Sequence, residues 1–370
     1  MWSSGRATVN CPESGLSGQV SRWLSRAVQA LPPLFLKERT QRRYVVAMTS
    51  EMGTAAPLPR RALGQTGLQV TPICIGCAPL GNMPETFAYE VPEERALATI
   101  RAVFASPINF LDTAAAYGDG ESERRIGSVL RELGGLPPGF VLATKADRNL
   151  QTGEFSGPQM RRSVERSLRL LGLERLQLVY LHDPEYIPDP TQDPFEVMMA
   201  PGGPVEVLLQ LKEEGLIEHL GIAGGPIEMM TRFVETGLFE AAISHNRYTL
   251  LNREADRFWD LCRSRGVAAV NAAPYGSGLL AKGPDAYPRY MYGEASAELL
   301  EKARRMQAAC ARYGVPLAAA ALQFSLRDER IASTIVGVTR PERVAETLAL
   351  AQQPIPAELW DELEAIYQAS

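Results

Sequence analysis

The sequence predicts an α/β chain folded as a (β/α)₈ TIM barrel, and three observations carry that prediction. Short apolar segments alternate with longer amphipathic ones from Arg60 to Leu350. The apolar segments do not alternate apolar with polar residues, which is the pattern of parallel strands covered on both faces. The span of roughly 290 residues suits one such barrel.

Composition narrows the function classes. The 370 residues are 45% hydrophobic and 22% charged, an ordinary globular balance. A net charge of -5 gives no basic face for nucleic acid. No apolar run reaches the length of a membrane span. The five cysteines, Cys11, Cys74, Cys77, Cys262 and Cys310, are an odd and sparse set. They suit a reducing cytoplasm better than a disulfide framework. Cys74-Ile-Gly-Cys77 is formally a C-x-x-C pair. With no second pair, and only His182, His219 and His245 to help, it reads as apolar packing. No metal site is expected, and a metal-dependent barrel hydrolase is disfavoured.

Residues 1–56 differ from the rest, with Trp2, Trp23, several prolines and basic residues from Arg22 through Arg43. They read as a disordered extension outside the fold. A targeting peptide is the alternative. Upstream sequence ahead of a start at Met48 or Met52 is another. Residues 57–370 form the predicted barrel domain.

The elements follow in order. Arg60–Leu63 and Leu68–Val70 flank Gly64-Gln-Thr-Gly67 as a β-hairpin. Ile73–Gly76 is the first core strand and runs into a loop at Ala78–Asn82. Pro92–Ala105 has helical periodicity, with Glu93 and Glu94 in its first turn. Asn109–Leu111 is the second strand. Ser122–Leu133 is a helix with Ser122 as its N-cap. Strands at Val141–Lys145, Leu178–His182, His219–Ala223, Ala241–Ser244 and Val267–Ala272 alternate with helices at Ser156–Leu171, Val205–Glu214, Ile227–Thr236 and Glu254–Arg265. Gly172, Gly215, Gly237 and Gly266 close those four helices. Helices at Leu299–Tyr313 and Pro316–Leu326, a strand at Thr334–Val336 and a helix at Pro341–Ala351 complete the barrel. Pro356–Gln368 is an extra C-terminal helix. The stretch from Pro184 to Pro204 reads as a long proline-stiffened loop that shapes a pocket.

In such a barrel the C-terminal strand ends converge on one mouth. Asp112 ends the second strand, Lys145 the third and His182 the fourth, and Tyr117 stands in the loop after the second. Each alone is as well explained by packing or solvation; together they bring an acid, a phenol, an amine and an imidazole to one place. An ammonium beside a phenol is expected to lower its pKa, and Asp112 can hold Lys145 in place. That set suits carbonyl–alcohol interconversion with Tyr117 as general acid/base. The hydride must then travel on a nicotinamide cofactor, because no side chain carries one. No G-x-G-x-x-G follows a strand and no P-loop is present.

Asp112, Tyr117, Lys145 and His182 resemble, in order and spacing, the catalytic tetrad of the aldo-keto reductases. The Arg60–Val70 hairpin is similar to the one that plugs the bottom of their barrel. The resemblance implies a (β/α)₈ enzyme that binds NAD(P)(H) without a Rossmann fold. Leu181-His-Asp-Pro-Glu185, Arg247–Leu251 and Asn271–Leu280 resemble the aldose 1-dehydrogenase group, which includes L-fucose, D-threo-aldose and L-galactose dehydrogenases and pyridoxal 4-dehydrogenase. That implies oxidation of an aldose at C1 to the lactone. The alternatives are a pyridoxal 4-dehydrogenase-like activity and a general NADPH-dependent aldehyde or ketone reductase. Some members are cofactor-binding regulatory subunits of ion channels, and residues 1–56 are the feature that would serve such docking. The expected partners are a small sugar or aldehyde, with no nucleic acid and no membrane; the chain is a monomer or homodimer.

The cofactor contacts that the resemblance implies depart from the family pattern. The usual Ser-Asn pair aligns with Ala223 and Gly224, the usual Gln with His245, and the residue stacked on nicotinamide with Ala272. Asn246 and Asn271 are the substitutes for holding the carboxamide, and Gly76 and Cys77 are taken as contacts at the end of the first strand. Ser277, Gly278 and Leu279 match the loop over the pyrophosphate. Gly337, Thr339, Arg340, Arg343, Glu346 and Thr347 match the adenosine end, whose helix start is an anion site. Gly337 stands where many NADP-specific members have Lys or Arg, which favours NAD. Arg340 or Arg343 is the alternative clamp for a 2′-phosphate.

Overall fold

A computed structural model describes residues 58–369. The expected extension at 1–56 lies outside them.

Strands β1 (Arg61–Ala62) and β2 (Gln69–Val70) pair antiparallel as the predicted hairpin. Eight strands then close a parallel barrel: β3 (Ile73–Gly76), β4 (Phe110–Asp112), β5 (Val141–Ala146), β6 (Leu176–His182), β7 (Ile217–Gly224), β8 (Ala241–His245), β9 (Ala268–Ala272) and β12 (Ile331–Gly337), with β12 joining β9 to β3. The short hairpin β10 (Arg289–Tyr290) and β11 (Gly293–Glu294) stands apart.

The barrel encloses a packed core. Cys74, Phe110, Ala143, Tyr180, Ile243 and Val270 point inward, and Leu63 and Val70 of the hairpin join them at one end. The hairpin sits close: a Cβ on Gly64, whose φ is +57°, would lie 2.7 Å from the Ala268 amide nitrogen. Asn109 fixes that end further. Its Oδ1 accepts from the Thr71 amide, and its Nδ2 donates to the Gln69 and Gly139 carbonyls.

A second, larger core lies between strands and helices, which explains why the strands lack alternation. Its helices are α2 (Glu93–Phe104), α3 (Glu121–Leu133), α4 (Gly157–Leu171), α6 (Pro204–Glu213), α7 (Ile227–Glu235), α8 (Asp256–Arg265), α10 (Ala297–Arg312), α11 (Leu317–Leu326) and α12 (Glu342–Gln352), with α13 (Ala357–Gln368) as the extra C-terminal helix.

Two expectations are corrected. Ser122 is not an N-cap: Gly120 holds the N-cap position of α3, and the Ser122 hydroxyl donates to the Cys77 carbonyl and accepts from Thr113 Oγ1. The Pro184–Pro204 stretch is not all loop, since it holds helix α5 (Pro194–Met199), capped by Asp193. Two further short helices, α1 (Pro84–Phe87) and α9 (Leu279–Lys282), are too brief to show a period in the sequence. Among the described residues no helix is long and apolar enough to cross a membrane.

Candidate active site

The ends of β4, β5 and β6 bring Asp112, Lys145 and His182 to one mouth. Lys145 Nζ donates to Asp112 Oδ1 at 2.6 Å, to the Thr113 carbonyl at 2.8 Å and to the Tyr117 hydroxyl at 3.0 Å. The ammonium also lies 4.6 Å from the Tyr117 ring centre. Tyr117 and His182 meet edge to face, with centroids 5.7 Å apart. The four residues predicted together are therefore together.

Burial sets their electrostatics. The Lys145 and Asp112 side chains are 2% and 3% exposed. Burial opposes the Lys145 charge, but attraction to Asp112 and then Tyr117 outweighs it and carries its pKa above the usual lysine value. Burial also lifts Asp112, with Lys145 pulling it back. For Tyr117 the expectation was a lowered pKa. Burial raises it more than Lys145 lowers it, so the phenol titrates above its ordinary value. Tyr117 thus holds its proton and serves as a donor in this state.

Glycines seat the Tyr117 loop. A Cβ on Gly118, whose φ is +62°, would lie 2.0 Å from the Gly81 carbonyl oxygen, and one on Gly81 would lie 2.7 Å from the Tyr117 carbonyl. The loops after β3 and β4 therefore interlock backbone to backbone. Gly118→Ala is expected to push Tyr117 off Lys145 and lower kcat about 10²-fold, with the fold retained. Steady-state kinetics beside a melting curve checks this.

Several residues at the mouth were not foreseen. Asp147, two residues past Lys145, accepts from His182 Nδ1 at 2.6 Å and from the Ala116 amide at 2.8 Å. Asp183, Glu185 and His245 converge, one donor atom of each lying within 4.8 Å of the others. Residue spacing did not reveal this convergence. Asp183 takes a left-handed φ of +45°. Glu185 Oε1 accepts from the Gly225 amide at 2.7 Å. A Cβ on Gly224 would lie 3.1 Å from Glu185 Oε2, and one on Gly225 would lie 2.9 Å from Oε1. Glu185 thus occupies room beside the strand end where the family pattern has the Ser-Asn pair. Burial pushes the Glu185 pKa up and the His245 pKa down.

The expected cofactor contacts divide into two groups. Asn246, with φ +61°, forms a polar ledge: Ser277 Oγ donates to its Oδ1 at 3.2 Å, and its Nδ2 lies 3.3 Å from His245 Nδ1. The β10–β11 turn covers that ledge, with the Tyr292 amide donating to Ser277 Oγ. Gly278 and Leu279 follow at the start of α9. Gly76 lies buried at the end of β3. Gly337 lies exposed at the end of β12, and Thr339 precedes α12. Arg340 and Arg343 each donate to Glu346, at 2.9 Å. Arg343 and Glu346 border a groove of about 350 Å³ with Ala318, Ala349, Leu350 and Gln353.

Three others are turned away. Asn271 faces the helices, not the mouth, because strand side chains alternate and Ala272 takes the inner side. Its Nδ2 donates to the Tyr248 carbonyl and Ser325 Oγ. The Cys77 thiol is fully buried and near the Ile75 carbonyl. Thr347 is buried and donates to the Arg343 carbonyl.

Known proteins are similar to this chain over most of its length. A model of the aldo/keto reductase family matches residues 72–368. A pyridoxal 4-dehydrogenase from Microbacterium luteolum is 30% identical over 337 residues, covering 83% of this chain and 96% of that protein. A D-threo-aldose 1-dehydrogenase from a Pseudomonas species is 30% identical over 328 residues, with coverages of 82% and 95%. An L-galactose dehydrogenase from Arabidopsis thaliana is 30% identical over 317 residues, with coverages of 83% and 94%. The solved holo form of an aldo-keto reductase from Bacillus halodurans superposes with a TM-score of 0.66 at 25% identity, covering 85% of this chain and 97% of that one.

Proposed function

The chain belongs to the aldo/keto reductase family, and from that premise we propose that it is an NAD(P)-dependent dehydrogenase that oxidises an aldose at C1 to the lactone. The observation that carries this reading is the hydrogen-bonded run Asp112–Lys145–Tyr117 beside His182 at the barrel mouth. The wall of Asp183, Glu185 and His245 supplies acceptors and donors for the ring hydroxyls of a sugar.

Asn246 and Ser277 would hold the nicotinamide carboxamide, and Arg343 and Glu346 the adenosine. When bound, the dinucleotide supplies the hydride acceptor. The chain's own residues handle the proton. Tyr117 and His182 orient the substrate hydroxyl. In reduction the Tyr117 hydroxyl gives its proton to the carbonyl oxygen, with Lys145 offsetting the charge left on the phenol oxygen; in oxidation Tyr117 first releases its proton to solvent and then, as the phenolate beside Lys145, takes the proton of the substrate hydroxyl. Lys145 keeps its own proton in both directions, because Asp112 stands 2.6 Å away.

The test follows absorbance of the reduced nicotinamide with NAD or NADP against L-fucose, D-arabinose, L-galactose and pyridoxal. Reduction of NAD by a sugar supports the reading. Oxidation of pyridoxal alone favours the activity named for the Microbacterium relative. NADPH-driven reduction of simple aldehydes, with no oxidation, replaces the reading by a general reductase. Silence in both directions revives a cofactor-binding regulatory role.

NAD is the proposed cofactor. Gly337 adds no charge, and Glu346 already engages both arginines, so a 2′-phosphate would have to displace it. Arg340→Ala is expected to leave the KM for NAD within about twofold, an exposed ion pair contributing little. A KM for NADP that starts lower than that for NAD, and rises about tenfold in the variant, would reverse the preference.

A further inference from the structure

Asp147 sits between the two groups that would face the substrate. One carboxylate oxygen lies 2.6 Å from His182 Nδ1, and the other accepts from the amide of Ala116, the neighbour of Tyr117 in sequence. The carboxylate therefore ties the His182 ring to the backbone that carries Tyr117. Its own backbone is braced from α4: the Asp147 amide donates to Ser163 Oγ, and Gln159 Nε2 donates to the Asp147 carbonyl. Asp147 is 2% exposed, so the carboxylate is held away from water.

We propose that Asp147 is a positioning residue for the reaction, holding His182 with Nδ1–H engaged and Nε2 turned to the mouth while fixing the loop that presents Tyr117. This rests on the dehydrogenase reading for its chemistry, but the pairing can be read without turnover. A carboxylate on one imidazole nitrogen selects the tautomer and orientation of the ring and stabilises its protonated form. His182 Nε2 lies 3.6 Å from Asp183 Oδ1, a second carboxylate on the open side. Lys145 from β5 works against a charge on the ring, while Asp112 from β4 favours it; Glu185 past β6 and His245 from β8 also face it, and Tyr117 stacks on its edge. Burial opposes protonation, yet the two neighbouring carboxylates leave the His182 pKa raised.

The sign of the pH dependence follows. A raised His182 pKa keeps a charged Nε2–H donor available above the ordinary histidine range, which favours reduction of a carbonyl. Oxidation then rises with pH as that proton is lost. Removing the Asp147 charge moves this limb to lower pH.

Imidazole nitrogen NMR of the full chain tests the assignment. Three histidines make the spectrum simple, and His182→Gln identifies the signal. In the wild type, His182 is expected to titrate above about 6.5 with Nδ1 protonated throughout. Titration at or below that value overturns the proposal, and this arm needs no Asp147 variant to fold. In Asp147→Asn the His182 titration is expected to move down, because the carboxylate that favours the charged ring is gone. The kcat is expected to fall about 10²-fold with the pH profile shifted by the same amount, and cofactor KM unchanged. A kcat that falls with an unmoved pH profile and an unmoved His182 titration overturns it. Absence of any turnover by the wild type, with His182 titrating as expected, sinks the dehydrogenase reading and leaves the pairing supported.

Discussion

Tyr117→Phe is expected to lower kcat by about 10²–10⁴-fold and to leave the barrel folded. The hydroxyl makes one hydrogen bond, to Lys145. That ammonium keeps Asp112 and the Thr113 carbonyl after the change. The ring keeps its edge contact with His182 and the cation at its face. Loss of a single hydrogen bond is worth about 1 kcal/mol, so the melting temperature should move little. The reaction, in contrast, loses the hydroxyl that Lys145 holds in place to carry the proton. Turnover of the same sugar by Tyr117→Phe at the wild-type rate would remove Tyr117 from the chemistry and with it the proposed mechanism. Dinucleotide binding followed by fluorescence should be unchanged, separating a lost reaction from a lost cofactor.

What could be read in the sequence was what the backbone period and the strand ends dictate. Strand ends fall at a fixed face of the barrel, so Asp112, Lys145 and His182 could be placed together without coordinates. Side-chain direction within one strand was harder. Asn271 and Ala272 are adjacent, and only the inward one reaches the mouth. Asp147 was missed because its partner His182 is 35 residues away, a separation that no local pattern encodes. Its signal was there in principle, an acid one step past a strand that ends at a site. The approach of Glu185, in the loop after β6, to His245 at the end of β8 is likewise visible only once the barrel is closed. Ser122 shows the reverse error. Its type suits an N-cap, but a buried carbonyl of Cys77 competed for the hydroxyl and won. The Tyr117 pKa failed for a quantitative reason. The convergence of strand ends supplied the favourable charge of Lys145, whereas the larger opposing effect is burial, which only the fold reveals.

Lys145→Met is the second large effect, and it separates stability from catalysis. The substitution keeps an unbranched side chain but leaves the Asp112 carboxylate in the barrel without its counter-charge. Asp112 is buried and its Oδ2 has no partner even now. Breaking one side of a buried pair is expected to destabilise by about 3–5 kcal/mol. The loss should depend on pH. Burial raises the Asp112 pKa, and without Lys145 nothing comparable pulls it back. The folded variant then binds a proton more tightly than its unfolded chain does. Its stability is therefore greatest below the ordinary carboxylate range, near pH 4, and falls as pH rises through the folded-state pKa. In the wild type Lys145 pulls the Asp112 pKa back, so the fall should be smaller. Adding Asp112→Asn to Lys145→Met removes the buried charge and should recover most of the lost stability, since neutral replacement of a buried pair is often tolerated. Activity should stay absent in the double variant, because Tyr117 still lacks the ammonium beside its oxygen. A double-mutant cycle by denaturant unfolding, run at two pH values, measures the coupling. Additive losses, with no pH dependence in Lys145→Met, would mean that the pair carries no charge in the folded protein and that Lys145 cannot hold Tyr117 by electrostatics.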